Sequence, residues 1–307
     1  MSRTLPSAMA LSVVKTALSV AAITFIVFYL VRWIPGDITD LYAASGDLSA
    51  AGQAAMRQEL GLDAGGLTPF RQWMVSALQG DLGLSLRFQT SVRSMLVAAI
   101  PDTLMLAGGA LALGVLLGGT VAILACAFPT RFWRRAVETL NIWSIAVPTF
   151  CVGVMAILTF SIRLQWLPIR GQWLMPILIL GVDVAGQLAK PLYEELVDVT
   201  RKGFVRTARA KGLAAWQVVL RHALPNALTI IVSLAGVIFA GLVGGTLTME
   251  VLFGLNGVGG LTFTAIQGRD YPIIQAGITF LAAIVVVVNL LTTALNVWID
   301  PRLRSTK

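Results

Sequence analysis

The sequence predicts an all-α integral membrane protein that crosses the bilayer six times. Three observations carry that expectation. Of 307 residues, 57% are hydrophobic and only 12% charged, against about 25% charged in soluble domains. Six segments are apolar and long enough to span a hydrocarbon core, which takes about 20 residues of helix. The cations also fall unevenly between alternate connections, the pattern of a positive-inside topology.

The first segment, Met9 to Trp33, is interrupted only by Lys15. It is longer than the roughly 7–15 residues of a signal-peptide core, and no convincing small-residue cleavage site follows it, so it reads as an uncleaved span. Pro35-Gly36-Asp37 stops it, and a polar segment of mixed charge occupies 34–96. Within that segment Ala50 to Leu60 reads as a short helix, Pro69 to Leu78 as an amphipathic one and Asp81 to Ser85 as a turn. The second span is expected from Ala98 to Phe128, broken near its start by Pro101-Asp102. Its Gly114 and Gly118 form a small-xxx-small pair that lets helix backbones approach closely. A basic turn, Pro129 to Arg135, leads to a third span from Val137 to Ile162, with Pro148 as a kink.

Arg163 to Gln172 is a short return loop, with Trp166 and Trp173 at interfacial depth. A fourth span runs from Trp173 to Leu188 and a fifth from Ala227 to Met249. In the fifth, the pairs Gly236/Ala240, Ala240/Gly244 and Gly241/Gly245 are spaced for close packing. A glycine-rich turn, Phe253 to Gly260, and a short helix to Asp270 precede the sixth span, Ile273 to Ile299. The expected organisation is one transmembrane domain over 1–307, with a first span at 9–33, an extracytoplasmic segment at 34–96 and a five-span core at 98–299.

Six spans put both termini on one side. With that side inside, fifteen of the 23 Lys and Arg are internal, and the segment after the first span carries Asp37, Asp40, Asp47, Glu59, Asp63 and Asp81. Topology therefore accounts for the net charge of +8 without nucleic acid. Both termini are expected in the cytoplasm.

Several chemistries are not indicated. No G-x-x-x-x-G-K-[ST] occurs, so the chain has no P-loop of its own, and Gly257-Val258-Gly259-Gly260 is followed by Thr262 where a dinucleotide fingerprint has its third glycine. His222 is the only histidine, which argues against a histidine metal cluster or a Ser-His-Asp triad. Cys126 and Cys151 lack CxxC spacing and read as small apolar fillers. Met9, Met105, Met155, Met175 and Met249 are scattered over apolar spans and read as packing residues. No catalytic residue, metal site or bound cofactor is expected on this chain.

The connection from Lys190 to Asn226 is the exception to short reversals. It carries Lys190, Arg201, Lys202, Arg206, Arg209, Lys211 and Arg221. Asp198 and Lys202 are spaced for an i,i+4 pair, so the connection is expected to be helical. A basic helix could lie on anionic lipid, but Ala208, Ala210, Gly212, Ala214 and Ala215 give little apolar reach and suit close docking on protein.

Three acids fall at membrane depth or near it: Asp183 inside the fourth span, Asp102 near the outer end of the second and Glu250 at the outer end of the fifth. Each reads either as pathway lining or as a paired acid holding helices together. Pairing is favoured for Asp102 and Glu250. For Asp183 both readings stand, since Gln187 and Lys190 follow one and two turns on.

Arg206-Thr207-Ala208, then Gly212, then nine residues to His222-Ala223-Leu224-Pro225, resembles the EAA loop of ABC-importer permeases. The wording RTARAKGL…LRHALPNAL is similar to the dipeptide, oligopeptide and nickel branch, which accepts Arg206 for Glu and His222 for Ile. The resemblance extends over nearly the whole chain, through W-I-P-G-D at Trp33 to Asp37, the run from Glu250 to Gly277 and the closing D-P-R-L-R. Two departures are Asn256-Gly257-Val258-Gly259, where the branch commonly has P-G-L-G, and the acidic, Pro-containing stretch Lys190 to Asp198.

The resemblance implies a type I importer permease in a bacterial inner membrane, forming half of a translocation pathway. Implied partners are a second homologous permease, two cytoplasmic P-loop ATPases that hold ATP and magnesium, an extracytoplasmic solute-binding protein and membrane lipid. It also implies that Arg206, Thr207, Ala208, Arg209, Ala210, Lys211 and Gly212 form a coupling helix seated on an ATPase. Gly212 would permit a turn that a Cβ would crowd. His222 and Leu224 complete the motif, and Pro225 ends the loop before the fifth span. The implied cargo is a di- or oligopeptide or a related small solute, with nickel or a metal chelate as the alternative. A secondary transporter would carry more buried charge and often an inverted repeat, and neither is visible in the sequence.

Overall fold

The computed structural model describes residues 5–33, 36–44, 46, 49–59 and 67–299. The Pro35 stop, Leu60 at the end of the expected short helix, and the closing D-P-R-L-R lie outside these residues. The described chain is helical; its only β-type pairing is one isolated bridge between Leu84 and Ser91. Five helices are long and apolar enough to cross a membrane, or up to seven if each of two bent pairs is counted as a span.

The order begins with α1 (Leu5–Trp33), α2 (Ile38–Ala44), α3 (Ala50–Glu59), α4 (Leu67–Leu78) and α5 (Val92–Ala127). It continues with α6 (Arg131–Ala146), α7 (Thr149–Ala156), a π-helical turn at Ile157–Arg163 and α8 (Leu174–Thr200). Then come α9 (Gly203–Ala210), α10 (Ala215–Val218), a second π-helical turn at Val219–Ala223 and α11 (Leu224–Gly245). The last are α12 (Leu247–Phe253), α13 (Val258–Gln267) and α14 (Tyr271–Ile299).

These helices form two compact units. One comprises Val13–Thr103 and Asn256–Ile284; the other is built on Leu104–Leu255 and on α14 from Val285 onward.

In the second of these, α8 is the hub. Leu180, Val184, Leu188, Leu192, Leu196 and Val199 recur every three or four residues and are all buried, the stripe of a helix packed along its length. Lipid-embedded helices gain little from burying apolar surface against each other, so contact depends on how closely the backbones approach. A Cβ on Gly118 of α5 would stand 2.7 Å from the Ala185 carbonyl oxygen of α8. One on Gly186 of α8 would stand 2.7 Å from Cβ of Ser144 on α6. The Gly114/Gly118 pair is thus a helix contact, as its spacing suggests. The fifth-span pairs fare differently. Gly236 abuts Thr292 of α14, but Gly241, Gly244 and Gly245 would meet nothing within 4 Å, so small-residue spacing alone did not identify their neighbours.

The other unit packs Val31 of α1, Val92, Leu96 and Ala99 of α5, Val258 and Ala265 of α13, and Tyr271, Ile273, Ile274 and Ala276 of α14 into one core. Tyr271 Oη donates to the Gly36 carbonyl at 3.0 Å, and Thr279 donates to Thr24 at 3.2 Å.

Four expectations need correction. Pro101 does not break the second span: α5 starts at Val92 and runs through it, because proline's fixed φ is helical and the loss is confined to one hydrogen bond and a local clash. Pro148 does more than kink the third span, since α6 and α7 with its π turn are bent by 93° there. Pro148 is extended, at φ −61° and ψ 128°, so the helix stops and restarts. The fourth span does not end at Leu188; α8 continues through Pro191 to Thr200. Cys151 is exposed on this chain rather than a core filler, while Cys126 is half-buried, and both are free thiols.

The α5–α8 contact gives a test. Gly118→Ala is expected to destabilise by about 1–3 kcal/mol, the cost of overpacking against backbone that cannot rotate away. The neighbouring Gly119→Ala, with open space around it, is expected to leave the melting temperature unchanged. Thermal unfolding of both purified variants followed by light-scattering or size-exclusion detection checks the contrast.

Candidate functional site

The connection between α8 and α11 is built from short helices. α8 stops at Thr200, and Lys202 takes an extended backbone, φ −69° and ψ 151°, as the residue before α9. The break decides an ion pair: Asp198 reaches Arg201 at 3.6 Å, not Lys202 as the i,i+4 spacing suggests, because Lys202 has left the helix. Both partners are well exposed, so the pair contributes little stability.

An eight-residue helix has almost no intrinsic stability. Two buried residues tether α9, Val205 and Ala208. The positions around them, Phe204, Arg206, Thr207, Arg209 and Ala210, are exposed, as are Lys211 and Gly212 beyond its end. Lys202, Arg206, Arg209 and Lys211 have no carboxylate partner among the described residues. The helix therefore presents unpaired positive charge on a surface held from behind by two small side chains.

Gly212 follows in the left-handed region at φ +81°. A Cβ there would meet nothing within 4 Å, so the glycine serves backbone conformation and not crowding, which corrects the expected reason. The Gln217 carboxamide oxygen accepts from Ala214 N at 3.1 Å and steadies the start of α10. The π turn then buries Val219 and Ala223. His222 is half-buried, and its carbonyl accepts from Asn226 Nδ2 at 2.7 Å. Leu224 and Pro225 open α11 directly after the π-helical turn, with the proline in the first turn of α11.

Sequence reasoning named the motif residues here and missed the large exposed apolar ones. Phe204, Trp216 and Leu220 are all more than 40% exposed. Aromatics inside a basic, alanine-containing stretch were a signal open to view.

The three acids lie in separate settings. Asp183 of α8 is half-buried and accepts from Gln187 Nε2 at 2.8 Å; Lys190 on the next turn is exposed. Glu250 of α12 is fully buried and accepts from Thr246 Oγ1 at 2.9 Å. Asp102 of α5 accepts from Asn256 N at 3.0 Å, and its neighbour Thr103 accepts from Val258 N at 2.8 Å. This adjacent pair satisfies amide donors at the start of α13 that have no intrahelical acceptor.

Two further acids were overlooked. Asp270 is fully buried and accepts from Ser85 Oγ at 2.5 Å and from the backbone N–H of Leu86 and Arg87 at 3.2 Å each. No local pattern announces a partner 185 residues away. Asp37 had a readable signal, since D-I-T-D is a capping box. Its Oδ1 accepts from Thr39 N at 2.8 Å while Asp40 Oδ2 accepts from Asp37 N at 2.6 Å, and Arg57 pairs with Asp37 at 3.1 Å. Among the described residues no group of three His, Cys, Asp or Glu is placed to hold a metal ion.

Comparison with known proteins bears on this connection directly. The family model for the binding-protein-dependent transport system inner membrane component matches residues 110–305, the whole α8–α11 connection included. A protein described as a peptide permease in Brucella suis biovar 1 is 31% identical over 302 residues, covering 93% of this chain and 95% of its own. The glutathione transport system permease protein GsiC of Escherichia coli O6:H1 is 34% identical over 287 residues, covering 92% of this chain and 94% of its own. A solved chain of the MetNI methionine ABC transporter, in inward-facing conformations, shares the fold with a TM-score of 0.58 at 20% identity, covering 67% of this chain and 96% of that one.

Gly212→Ala tests the geometry of the connection. The left-handed backbone is expected to cost a Cβ-bearing residue about 1–2 kcal/mol. Amide exchange over 203–218 should quicken several-fold while exchange in the buried stripe of α8 stays as it was.

Proposed function

The chain belongs to the family of binding-protein-dependent transport system inner membrane components, and on that premise we propose that it is the peptide-translocating permease subunit of an ATP-driven importer. As a permease component of an ABC importer it is a multi-pass inner-membrane protein whose part in transport is non-catalytic. The peptide and glutathione designations of its two relatives support di- or oligopeptides, or a related small solute, as cargo. A second permease of the same kind completes the pathway. Two cytoplasmic P-loop ATPases bind ATP and magnesium, an extracytoplasmic binding protein delivers the solute, and this chain binds no cofactor itself. The charge bias supports cytoplasmic N- and C-termini.

The observation that carries the coupling reading is α9. It is a short, separate helix with four unpaired cations on or beside it, tethered by only two buried residues. Arg206, Thr207, Arg209, Ala210 and Lys211 form the face that meets an acidic groove on an ATPase, and Phe204 and Trp216 supply apolar anchors of the kind that dominate interface energetics. Gly212 sets the turn, and His222, Leu224 and Pro225 link that face to α11. Closure of the ATPase pair on ATP then moves α9, and α9 moves α8 and α11. The permease's contribution is differential contact with two states, which any coupled switch requires. Asp183, half-buried on the hub helix, is the strongest of the three acids as a pathway residue. Asp102 and Glu250 act as helix-pairing acids.

Purification from native membranes in mild detergent is expected to recover a second permease and P-loop ATPases with this chain. The double variant Arg206→Glu/Arg209→Glu should weaken ATPase retention at least tenfold, which corresponds to about 1.4 kcal/mol, without lowering the amount of folded permease. Uptake that survives deletion of residues 206–212 would sink the coupling reading.

A further inference from the structure

We propose that α4 is an interfacial helix embedded in the headgroup–acyl boundary of the bilayer, with Leu67, Val75 and Leu78 in contact with lipid chains and Arg71 reaching a lipid phosphate. The depth of α4 is set by α1. Between Lys15 and Arg32, α1 carries sixteen residues without a charge, about 24 Å of helix at 1.5 Å per residue, and the two cations bound that stretch. Phe70 of α4 packs edge-on against Phe25 and Phe28 of α1, with ring centres 5.1 and 5.4 Å apart. Trp73 stands 6.3 Å from Phe28.

These contacts fall one to two turns inside Arg32, about 6–10 Å along the axis of α1. Past the other end of α4, Leu82 packs against the cluster that contains Val31. The helix is therefore held from both sides at levels within the apolar stretch of α1. Interfacial helices characteristically bury their apolar face about 5–10 Å into the headgroup–acyl boundary.

The face of α4 turned away from α1 is unsuited to water. Leu67, Arg71, Val75 and Leu78 follow one another at spacings of four, four and three, one stripe on a helix. The three apolar members are 67%, 48% and 81% exposed. Arg71 is the only charged residue in α4 and has no carboxylate partner among the described residues. An apolar stripe at membrane depth that carries a lone cation complements an anionic phosphate above and acyl chain below. Arg71 can lay its aliphatic stem along the stripe and keep its guanidinium at the phosphate. On α1 itself, Ile26 and Leu30 are more than half exposed. This inference requires only that α1 crosses the bilayer, and it stands apart from the transport reading.

The test uses the full chain, with whatever subunits accompany it, after Cys126→Ala and Cys151→Ala. Single nitroxide labels are placed at Leu67→Cys, Val75→Cys and Leu78→Cys, with Ala54→Cys on α3 as a reference. The protein is reconstituted in vesicles of phosphatidylethanolamine and phosphatidylglycerol, and collision of each label with oxygen and with a water-soluble nickel chelate is read by electron paramagnetic resonance. Labels at 67, 75 and 78 are expected to favour oxygen several-fold over the Ala54 reference, at a depth of about 5–10 Å. Arg71→Glu should raise chelate collisions at 75. Chelate access at all three positions equal to that at Ala54 would overturn the proposal. So would protection that develops only when soluble extracytoplasmic protein is added, because the stripe would then belong to a protein partner. Three positions are read independently, so the loss of one variant to poor expression still leaves a decision.

Discussion

Within hydrocarbon no water is available to a backbone amide, so each N–H and C=O must find its partner inside the chain. Helices meet that demand along their length and fail it at their ends. At several breaks between its helices, a side chain accepts from a backbone amide that the helix itself leaves without a partner. Asp102 and Thr103 accept from the amides of Asn256 and Val258 at the start of α13. The Gln172 carboxamide accepts from Met175 N at the start of α8. Asp270 accepts from two amides of the 85–91 turn. Buried polar residues in such a chain are thus concentrated at breaks in helices, and a reading of intramembrane acids as transport groups has to be set against that structural demand.

The same solvent removes most of the reason for helices to associate, since lipid is as apolar as a leucine side chain. What remains is contact, and contact is best where side chains are smallest. The hub helix α8 meets α5 through Gly118 against Ala185 and meets α6 through Gly186 against Ser144. Contacts this close leave little room for one helix to shift without its neighbours, because packed interiors do not deform smoothly. The eight-residue α9 is too short to hold itself together and is fastened by two buried residues, Val205 and Ala208. The unpaired cations and the exposed Phe204 of α9 lie apart from Val205 and Ala208, so its anchoring residues and its exposed residues are separate sets.

Much of this was legible. The long apolar runs specify helices because hydrocarbon permits little else, and the charge bias is read from where the cations fall between those runs. The Arg206–Pro225 motif carries its own punctuation: Gly212 at the left-handed turn and Pro225 in the first turn of α11. Even the D-I-T-D cap at Asp37 was readable, although it went unread. What misled were residues whose effect depends on surroundings. Pro101 lies within a helix and Pro148 ends one, a difference that proline's own geometry does not contain. Gly118 sits against a neighbouring backbone while Gly241 faces open space, though both belong to the same small-xxx-small spacing.

The sequence by itself determined the membrane location, the helical class and the position of the connecting motif, because hydropathy, charge and turn chemistry act over a few adjacent residues. Only the tertiary structure decided which acids are buried and what they hold. Asp270 closes on Ser85 across 185 residues, and Asp198 pairs with Arg201 because α8 happens to end at Thr200. Those outcomes depend on where helices stop and which faces meet, and such contacts are set by packing among segments far apart in the chain, where no local pattern reports them.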